Sequence, residues 1–233
     1  MKIALLGYGR MGKEIEQIAL KRGHQIVIKT SDQEGYDISN ADVAIDFSVP
    51  SAAVSNISNC INHQVPVISG TTGWLEQYDQ VVSLCNQKKG AFIYASNFSL
   101  GVNIFFELNK QLAKMMNTIE DYSLSIEEIH HTQKLDAPSG TAISLAEGII
   151  ANSAKKKWEL DASNSDEIIP ISAKRIPEVP GTHTICYESD VDQIEIKHTA
   201  HNRKGFALGA VVAAEWLVGK TGVYTMKDVL NLG

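Results

Sequence analysis

The sequence predicts an α/β fold, in which an N-terminal doubly wound parallel sheet is followed by a C-terminal α+β domain with a mixed sheet. Over residues 1–98, short apolar runs alternate with segments whose apolar residues recur at helical spacing. Alternating strands and helices are typical of a parallel sheet covered by helices. Between residues 168 and 198, three strand-like runs follow one another without helices. Because a short turn joins the last two runs, they predict an antiparallel hairpin.

The first strand of this fold covers residues 2–6 and ends in the motif G-Y-G-R-M-G at residues 7–12. An amphipathic helix and a second strand, over residues 25–29, follow the motif. In this context the first glycine permits a tight turn, the second lets a pyrophosphate approach the backbone, and the third lets helix and strand pack closely. The motif therefore predicts a Rossmann-like dinucleotide site, with a purely structural glycine turn as the alternative.

Three further strands are predicted over residues 41–48, 65–69 and 91–94, separated by helices over residues 50–63 and 74–89. The last two strands run into small and hydroxylated residues, at positions 70–73 and 95–99. Ligands of open α/β folds bind at the carboxyl ends of the strands. We therefore expect these two loops to face the same crevice as the glycine-rich turn.

The end of the second strand bears on the type of cofactor. An acidic residue there binds the ribose 2′-hydroxyl of NAD, whereas a basic residue accommodates the 2′-phosphate of NADP. The segment contains both Lys29 and Asp32. The choice between NADH and NADPH therefore stays open.

The second half of the chain predicts a helix over residues 102–116, a strand beginning near Tyr122 and a helix beginning near Gly140. Two final helices, over residues 207–217 and 224–232, are expected to return to the first domain. The predicted domains are a dinucleotide-binding domain of residues 1–98 with about 207–233, and a substrate-binding and oligomerisation domain of residues 99–206.

The segment from His130 to Thr141 carries the clearest chemical signal. It contains two adjacent histidines, Lys134 and the turn D-A-P-S-G-T that opens a helix. Imidazole and ammonium groups donate protons, and a helix N-terminus attracts anions such as carboxylates. The segment therefore predicts a site that protonates a substrate while binding its carboxylates, with a solvated surface loop as the alternative. No metal site is expected, because adjacent strand histidines point to opposite faces and no cysteine or carboxylate lies nearby at the spacing of a zinc site.

Composition excludes several classes of partner. The net charge is −6 and there is no long basic run, so nucleic acid is not an expected partner. No apolar run is long enough to span a membrane, and residues 1–7 do not resemble a signal peptide. The three cysteines form no C-x-x-C pair, which is typical of a reducing compartment. We expect a cytoplasmic protein.

Six motifs in chain order resemble those of the 4-hydroxy-tetrahydrodipicolinate reductase (dihydrodipicolinate reductase) family of the diaminopimelate route to lysine. They begin at residues 7, 46, 70, 97, 130 and 203. The resemblance implies an oxidoreductase that uses NADH or NADPH to reduce a cyclic dicarboxylate, and a homotetramer assembled through the sheet of the second domain. Thr132 and Gln133 stand where many members are more basic.

The resemblance also implies roles for individual residues. His130 is the implied proton donor and acceptor, and Lys134 a second proton donor. The substrate carboxylates would be bound by His131, Gly140 and Thr141. Arg203 and Phe206 would lie where the family closes its site, near the hinge between the two predicted domains. The cofactor would be held by Gly7, Tyr8, Gly9, Arg10, Met11, Gly12, Gly70, Thr71, Thr72, Ala95, Ser96, Asn97 and Phe98.

Two other functions compete with this one. The first is another two-domain nicotinamide oxidoreductase, such as a semialdehyde or amino-acid dehydrogenase. A semialdehyde dehydrogenase that forms a thioester needs a nucleophilic cysteine at a strand–helix junction. Cys60 and Cys85 lie instead in helical patterns, and Cys186 lies in a strand pattern. A non-catalytic nucleotide sensor would need the glycine motif but not the histidine segment. The reductase hypothesis accounts for both.

Overall fold

The computed structural model describes residues 1–30, 36–162, 165–202 and 204–232, and the chain divides into two compact units. Unit 1 comprises Met1–Asn103 and Lys204–Gly233, and unit 2 comprises Ile104–Arg203. The sequence placed the boundaries after residues 98 and 206, a few residues away. The difference arises because a helix beginning at Leu100 contributes its first turn to unit 1, and a helix beginning at Lys204 belongs to it entirely.

Unit 1 is built on a parallel sheet. Its strands in chain order are β1 (Lys2–Leu6), β2 (Gln25–Thr30), β3 (Val43–Asp46), β4 (Val67–Ser69), β5 (Ala91–Tyr94) and β11 (Gly222–Tyr224). They are ordered β11-β5-β4-β3-β1-β2, and every neighbouring pair is parallel. The predicted doubly wound parallel sheet is therefore confirmed.

Helices cover both faces of this sheet. They are α1 (Arg10–Lys21), α2 (Pro50–Asn62), α3 (Tyr78–Lys88), α6 (Lys204–Leu217) and α7 (Met226–Leu230). Ile3 and Leu5 of β1 pack in a core with α1 and α6, whereas Ala4 and Leu6 pack in a second core with α2 and α3. Because side chains alternate across a strand, a strand buried on both faces is a continuous apolar run.

Two details of unit 1 differ from the sequence prediction. The helix expected from Trp74 begins only at Tyr78, after a 3-10 turn over Leu75–Gln77. The tail, expected to be one helix over residues 224–232, contains β11 and then the shorter α7. A three-residue strand is too short for side-chain periodicity to reveal, so β11 depends on its pairing with β5.

Unit 2 contains a five-stranded mixed sheet and two helices. In chain order its elements are α4 (Leu100–Met116, beginning in unit 1), β6 (Ser123–His130), α5 (Gly140–Ile150), β7 (Lys157–Leu160), β8 (Ile168–Arg175), β9 (Gly181–Glu188) and β10 (Gln193–Ala200). The strand order is β10-β9-β6-β8-β7, antiparallel at β10-β9-β6 and parallel at β6-β8-β7. The predicted mixed sheet and the β9–β10 hairpin are confirmed. Strand β7, which has two charged residues among four, was not predicted.

Alternation along β6 determines which of its side chains face the interior of unit 2. Leu124 and Ile126 are buried in a core with residues of α5, β8 and β9. Glu128 and His130 continue the same alternating row and are also buried. The row therefore changes from apolar to ionisable as β6 reaches its end. None of the described helices has the length and hydropathy that crossing a membrane requires.

Candidate active site

The glycine-rich turn of unit 1 joins β1 directly to α1. A Cβ atom on Gly7 would lie 2.1 Å from the carbonyl oxygen of Phe47, and Gly7 has a φ of +98°. A Cβ atom on Gly9, in contrast, would meet no described atom within 4 Å. Gly7 is therefore required by the protein's own packing, whereas Gly9 leaves the space that a pyrophosphate needs to approach the backbone.

A cleft of about 360 Å³ lies beside this turn in unit 1. It is lined by residues of three loops that follow β1, β3 and β4: Gly9, Arg10, Met11, Phe47, Ser48, Pro50, Gly70, Thr71 and Thr72. The structure thus brings two of the three predicted cofactor segments together. The loop after β3 was not among the predicted site residues, although it also begins at the carboxyl end of a parallel strand.

A buried carboxylate organises two of these loops. Asp46, at the end of β3, is fully buried and accepts hydrogen bonds from Ser48 Oγ (2.6 Å), Ser69 Oγ (2.7 Å), Thr71 Oγ1 (2.8 Å) and Asn56 Nδ2 (3.0 Å). Burial raises the pKa of the Asp46 carboxyl, and these four donors oppose that shift. Asp46 thereby ties the loop after β3 to the loop after β4.

The third predicted cofactor segment, residues 95–98, does not line this cleft. The Phe98 side chain is only 1% exposed and packs in the core of unit 1, with its ring 5.8 Å from that of Phe47. Ser96 is exposed and Asn97 is half-buried. Phe98 could therefore contribute to a cofactor site only through its backbone.

Lys29, the basic residue at the end of β2 that could bind the 2′-phosphate of NADP, forms an ion pair within unit 1. Its Nζ lies 2.5 Å from Glu16 Oε1 on α1 and 5.2 Å from the centre of the Tyr8 ring. Tyr8 donates a hydrogen bond to the same Glu16 carboxylate. Asp32, the acidic candidate, lies outside the described residues.

In unit 2, Glu128 stands at the centre of a buried ionisable cluster. Its Oε1 accepts hydrogen bonds from the backbone N–H of Ser139 and from Arg175 Nη2, both at 3.1 Å. Its Oε2 lies 3.1 Å from His130 Nδ1 and 3.7 Å from His183 Nε2. Glu128, His130 and His183 are 0%, 8% and 5% exposed. The cluster therefore places a carboxylate behind the imidazole predicted to handle the proton.

The pairing of β6 with its two neighbours assembles this cluster. His130 is in register with Arg175 of β8, and Glu128 is in register with His183 of β9. Sequence analysis did not assign Glu128, Arg175 or His183 to the site. Glu128 carried a local signal, because a residue two positions before His130 on a strand shares its face.

Electrostatics fix the charge states of two members of the cluster. Burial disfavours the Glu128 carboxylate, but hydrogen bonds from His130, Ser139 and Arg175 and the charge of His130 together lower its pKa to about 2. Burial and the neighbouring His130 lower the pKa of His183 to about 4. At neutral pH, Glu128 is therefore ionised and His183 is neutral.

The loop that follows His130 is fastened to the cluster by Arg175. The Arg175 guanidinium donates to the carbonyl oxygens of Lys134 (3.2 Å) and Asp136 (2.7 Å) while it also binds Glu128. Within the loop, Lys134 Nζ lies 2.7 Å from Asp136 Oδ2. Lys134 is thus placed near His130 in the chain, but it already pairs with a carboxylate of its own loop.

The predicted carboxylate-binding residues lie at the start of α5. Ser139 caps this helix by accepting a hydrogen bond from Ala142 N at 3.2 Å. Gly140 is exposed, and a Cβ atom there would meet no described atom within 4 Å. Thr141 and His131 are half-buried. An anion therefore has access to the start of α5 at Gly140, although the Ala142 N–H is already bound by Ser139.

The predicted absence of a metal site needs one correction in its reasoning. A carboxylate does lie near the histidines, because Glu128, His130 and His183 offer one potential ligand atom each, all within 4.8 Å of one another. Arg175 already offsets the charge of Glu128, so an ion-pair network accounts for the arrangement without a metal. That no metal binds here stays a prediction.

The remaining predicted residues near the second domain boundary are only partly described. Arg203 lies outside the described residues. Phe206 is half-buried near the start of α6. A role for either in closing a site therefore stays a prediction.

Comparison with known proteins identifies the family. Residues 1–98 match the family model "Dihydrodipicolinate reductase, N-terminus", and residues 101–230 match "Dihydrodipicolinate reductase, C-terminus". The chain belongs to the dihydrodipicolinate reductase family. The assignment made from the six motifs is thereby confirmed, and the chain is an oxidoreductase whose Rossmann-type unit takes a nicotinamide cofactor.

Relatives of this family match the chain over most of its length. The 4-hydroxy-tetrahydrodipicolinate reductase of Christiangramia forsetii is 61% identical, over 99% of this chain and 98% of that protein. The protein of the same name from Neisseria meningitidis serogroup B is 35% identical, over 93% and 84%. A dipicolinate-bound dihydrodipicolinate reductase from Paenisporosarcina sp. TG-14 shares the fold, with a TM-score of 0.79 and 23% identity over 97% of each chain. The family therefore favours the reductase hypothesis over the semialdehyde dehydrogenase and the sensor.

The free energy of unfolding is expected to fall on acidification, because the unfolded chain binds protons that the Glu128–His183 cluster does not bind in the folded protein. The unfolded His183 takes up a proton near the ordinary histidine pKa of 6.5, whereas the folded one has a pKa of about 4. Stability from this group is present above the unfolded pKa and lost as pH falls through the folded pKa, by on the order of 3 kcal/mol. Glu128 adds a further loss between the ordinary glutamate pKa of 4.5 and its folded pKa of about 2.

Urea unfolding at neutral pH and at about pH 4.5 measures the first part of this loss. His183→Gln should reduce the pH dependence, since it removes the titrating imidazole. His63→Gln, at an exposed position of unit 1, is the matched control and should retain the pH dependence. Equal pH dependence in wild type and His183→Gln would contradict the assigned charge state of His183.

Proposed function

We propose that this protein reduces 4-hydroxy-tetrahydrodipicolinate to tetrahydrodipicolinate with NADH or NADPH, in the biosynthesis of diaminopimelate and lysine. The observation that carries the proposal is the Glu128–His130 pair at the end of β6, in a chain that is 61% identical to a reductase of that name. A buried carboxylate beside an imidazole suits proton transfer. The open N-terminus of α5 suits the carboxylates of the substrate.

The dinucleotide would bind to unit 1. Gly9 and the cleft that follows β1, β3 and β4 offer backbone access and volume for a pyrophosphate, which supports the predicted roles of residues 7–12 and 70–72. When bound, the reduced nicotinamide supplies the hydride. Because Glu16 neutralises Lys29, we expect no basic side chain of β2 to favour the 2′-phosphate, so NADH should serve at least as well as NADPH.

The substrate dianion would bind to unit 2. Gly140 and Thr141 would present N–H groups and the Thr141 hydroxyl to one carboxylate, and His131 would contribute a further donor. Lys134 would offset the second negative charge. Since Lys134 pairs with Asp136 without substrate, binding would require the ammonium to share or exchange that partner.

His130 would supply the proton that the reduction requires. Loss of the substrate's hydroxyl as water gives a conjugated imine. Addition of the hydride from the nicotinamide to this imine drives electrons toward the ring nitrogen, where negative charge develops. A donor placed there lowers the barrier, by about 10²–10⁴-fold in rate for general acid catalysis. His130 would fill this role, with Lys134 as a second donor.

A coupled assay with freshly generated substrate tests the proposal. Purified protein should oxidise NADH only when substrate is present, with a kcat/KM typical of enzymes, about 10⁴–10⁸ M⁻¹s⁻¹. It should oxidise NADPH no faster than NADH. Pyridine-2,6-dicarboxylate, a planar dicarboxylate, should inhibit in competition with the substrate. Absence of substrate-dependent oxidation of either cofactor would overturn the function.

Assembly and location are part of the same proposal. We propose a homotetramer that forms through the sheet of unit 2, because β10 is its edge strand and most of its residues are exposed. Light scattering of the purified protein measures the mass directly. A cytoplasmic location is consistent with the free thiols of Cys60, Cys85 and Cys186.

A further inference from the structure

We propose that Glu128 is a positioning residue, which determines which ring nitrogen of His130 carries the proton that is transferred. This inference rests on the proposed role of His130 and goes beyond it, because it assigns a function to a residue that does not face the substrate. The contacts around the two Glu128 oxygens carry the argument.

The first step is that the Glu128 carboxylate has a fixed orientation. Oε1 is held by two donors, Ser139 N and Arg175 Nη2, each at 3.1 Å. Both are obligatory donors, so only an acceptor can occupy that position. Arg175 is itself fixed by the carbonyl oxygens of Lys134 and Asp136. Oε2 must therefore point toward His130 and His183.

The second step concerns the hydrogen on His130. Oε2 of Glu128 and Nδ1 of His130 lie 3.1 Å apart. This contact is not a well-directed hydrogen bond, and neither atom has a well-directed hydrogen bond to another described group, so each is the nearest available partner of the other. An ionised carboxylate only accepts hydrogen bonds, so an unprotonated Nδ1 would place two lone pairs against each other. Nδ1 must therefore carry a hydrogen, and Nε2 is the nitrogen that gains and loses the catalytic proton.

The third step concerns the surroundings of Nε2. A Cβ atom on Gly181, at the start of β9, would lie 3.0 Å from His130 Nε2. Any side chain at this position would crowd the nitrogen, so glycine at position 181 keeps this side of Nε2 free of a side chain. His183 of β9 cannot replace Glu128 as the charged partner of His130, because its low pKa keeps its imidazole neutral. Its Nε2 also lies 3.1 Å from Ser139 Oγ and is thus already in contact with that hydroxyl.

Glu128→Gln tests this inference, because the glutamine side chain has the same shape. Its amide oxygen should remain on Ser139 N and Arg175, since two donors would otherwise meet the amide NH₂. The NH₂ group would then face His130 Nδ1, which must become an acceptor, and the hydrogen moves to Nε2. ¹⁵N NMR of labelled histidines should show this change of tautomer, with the His130 signal assigned from its loss in His130→Gln.

Kinetics give a second readout. Glu128→Gln should lower kcat by about 10²-fold, toward the lower end of what general acid–base catalysis contributes. The KM for the dicarboxylate substrate and the KM for NADH should change little. The matched control is Glu127→Gln, the preceding residue on the opposite face of β6, which is more exposed and pairs with Lys174. Glu127→Gln should keep wild-type kcat and tautomer.

Glu128→Asp covers the case in which the glutamine variant does not fold. Its shorter carboxylate still accepts, so the Nδ1–H tautomer should persist while kcat falls less than in Glu128→Gln. A glutamine variant with wild-type tautomer, or one with wild-type kcat, would overturn the inference, as would an aspartate variant with the Nε2–H tautomer. The NMR result does not require reductase activity, so failure of the proposed function is distinguishable from failure of this assignment.

Discussion

His130→Ala is expected to lower kcat by about 10²–10⁴-fold, the range that a general acid or base contributes. The variant loses the only imidazole at the end of β6 that is backed by a buried carboxylate within the described residues. Cofactor affinity should change little, because His130 belongs to unit 2 while every predicted cofactor residue belongs to unit 1. The loss should therefore appear in turnover and not in the Kd of NADH.

Steady-state kinetics and a fluorescence titration with NADH separate these two quantities. His63→Ala is a suitable control, because it removes an exposed imidazole of unit 1, at the end of α2, whose Nδ1 lies 2.9 Å from Asn59 O of that helix. It should retain wild-type kcat. Turnover close to that of wild type in His130→Ala would remove His130 from the mechanism, and a parallel loss of cofactor affinity would indicate a structural defect.

The fold was largely predictable because its signals are local. Buried parallel strands such as β1 appear as apolar runs, and β6 appears as an alternating one. The glycine motif marks the turn between β1 and α1. Strands β7 and β11 were not predicted. The equally short β4 is a buried apolar run, whereas β7 contains two charged residues and β11 begins with glycine, so only their pairing with a neighbouring strand reveals them.

The candidate site was predictable only where its residues are close in sequence. The histidine segment contains a potential proton donor and a helix N-terminus within a few residues, so sequence alone could predict it as a candidate. Arg175 and His183 reach the site through the registers of β8 and β9 with β6, which are long-range pairings. The same holds for Asp46, whose donors Ser69 and Thr71 come from the next strand and its loop. An aspartate that ends an apolar strand run was the one local sign of that network.

Two alanine substitutions in the glycine-rich turn should affect different properties, one the stability of unit 1 and the other its affinity for NADH. Gly7→Ala should strongly destabilise unit 1, because its Cβ would lie 2.1 Å from Phe47 O and its φ is +98°. A left-handed conformation at a residue other than glycine costs about 1–3 kcal/mol, and overpacking costs about 1–3 kcal/mol more. Together these amount to a large part of the stability of an ordinary domain, about 5–15 kcal/mol.

Gly9→Ala should leave stability unchanged and weaken NADH binding, because its Cβ would enter open space that the pyrophosphate is proposed to fill. We expect the Kd of NADH to rise at least about tenfold, which corresponds to about 1.4 kcal/mol. Thermal unfolding and NADH titration, performed on both variants, distinguish the two effects. If Gly9→Ala bound NADH as wild type does, the dinucleotide would not approach the backbone at Gly9. If Gly7→Ala were as stable as wild type, the contact with Phe47 would not require glycine.

The two glycines are only two positions apart, so composition and local propensity are nearly identical for both. The direction of the missing Cβ atom and the sign of φ, which is positive at Gly7 and negative at Gly9, distinguish a residue that the fold needs from one that the ligand needs.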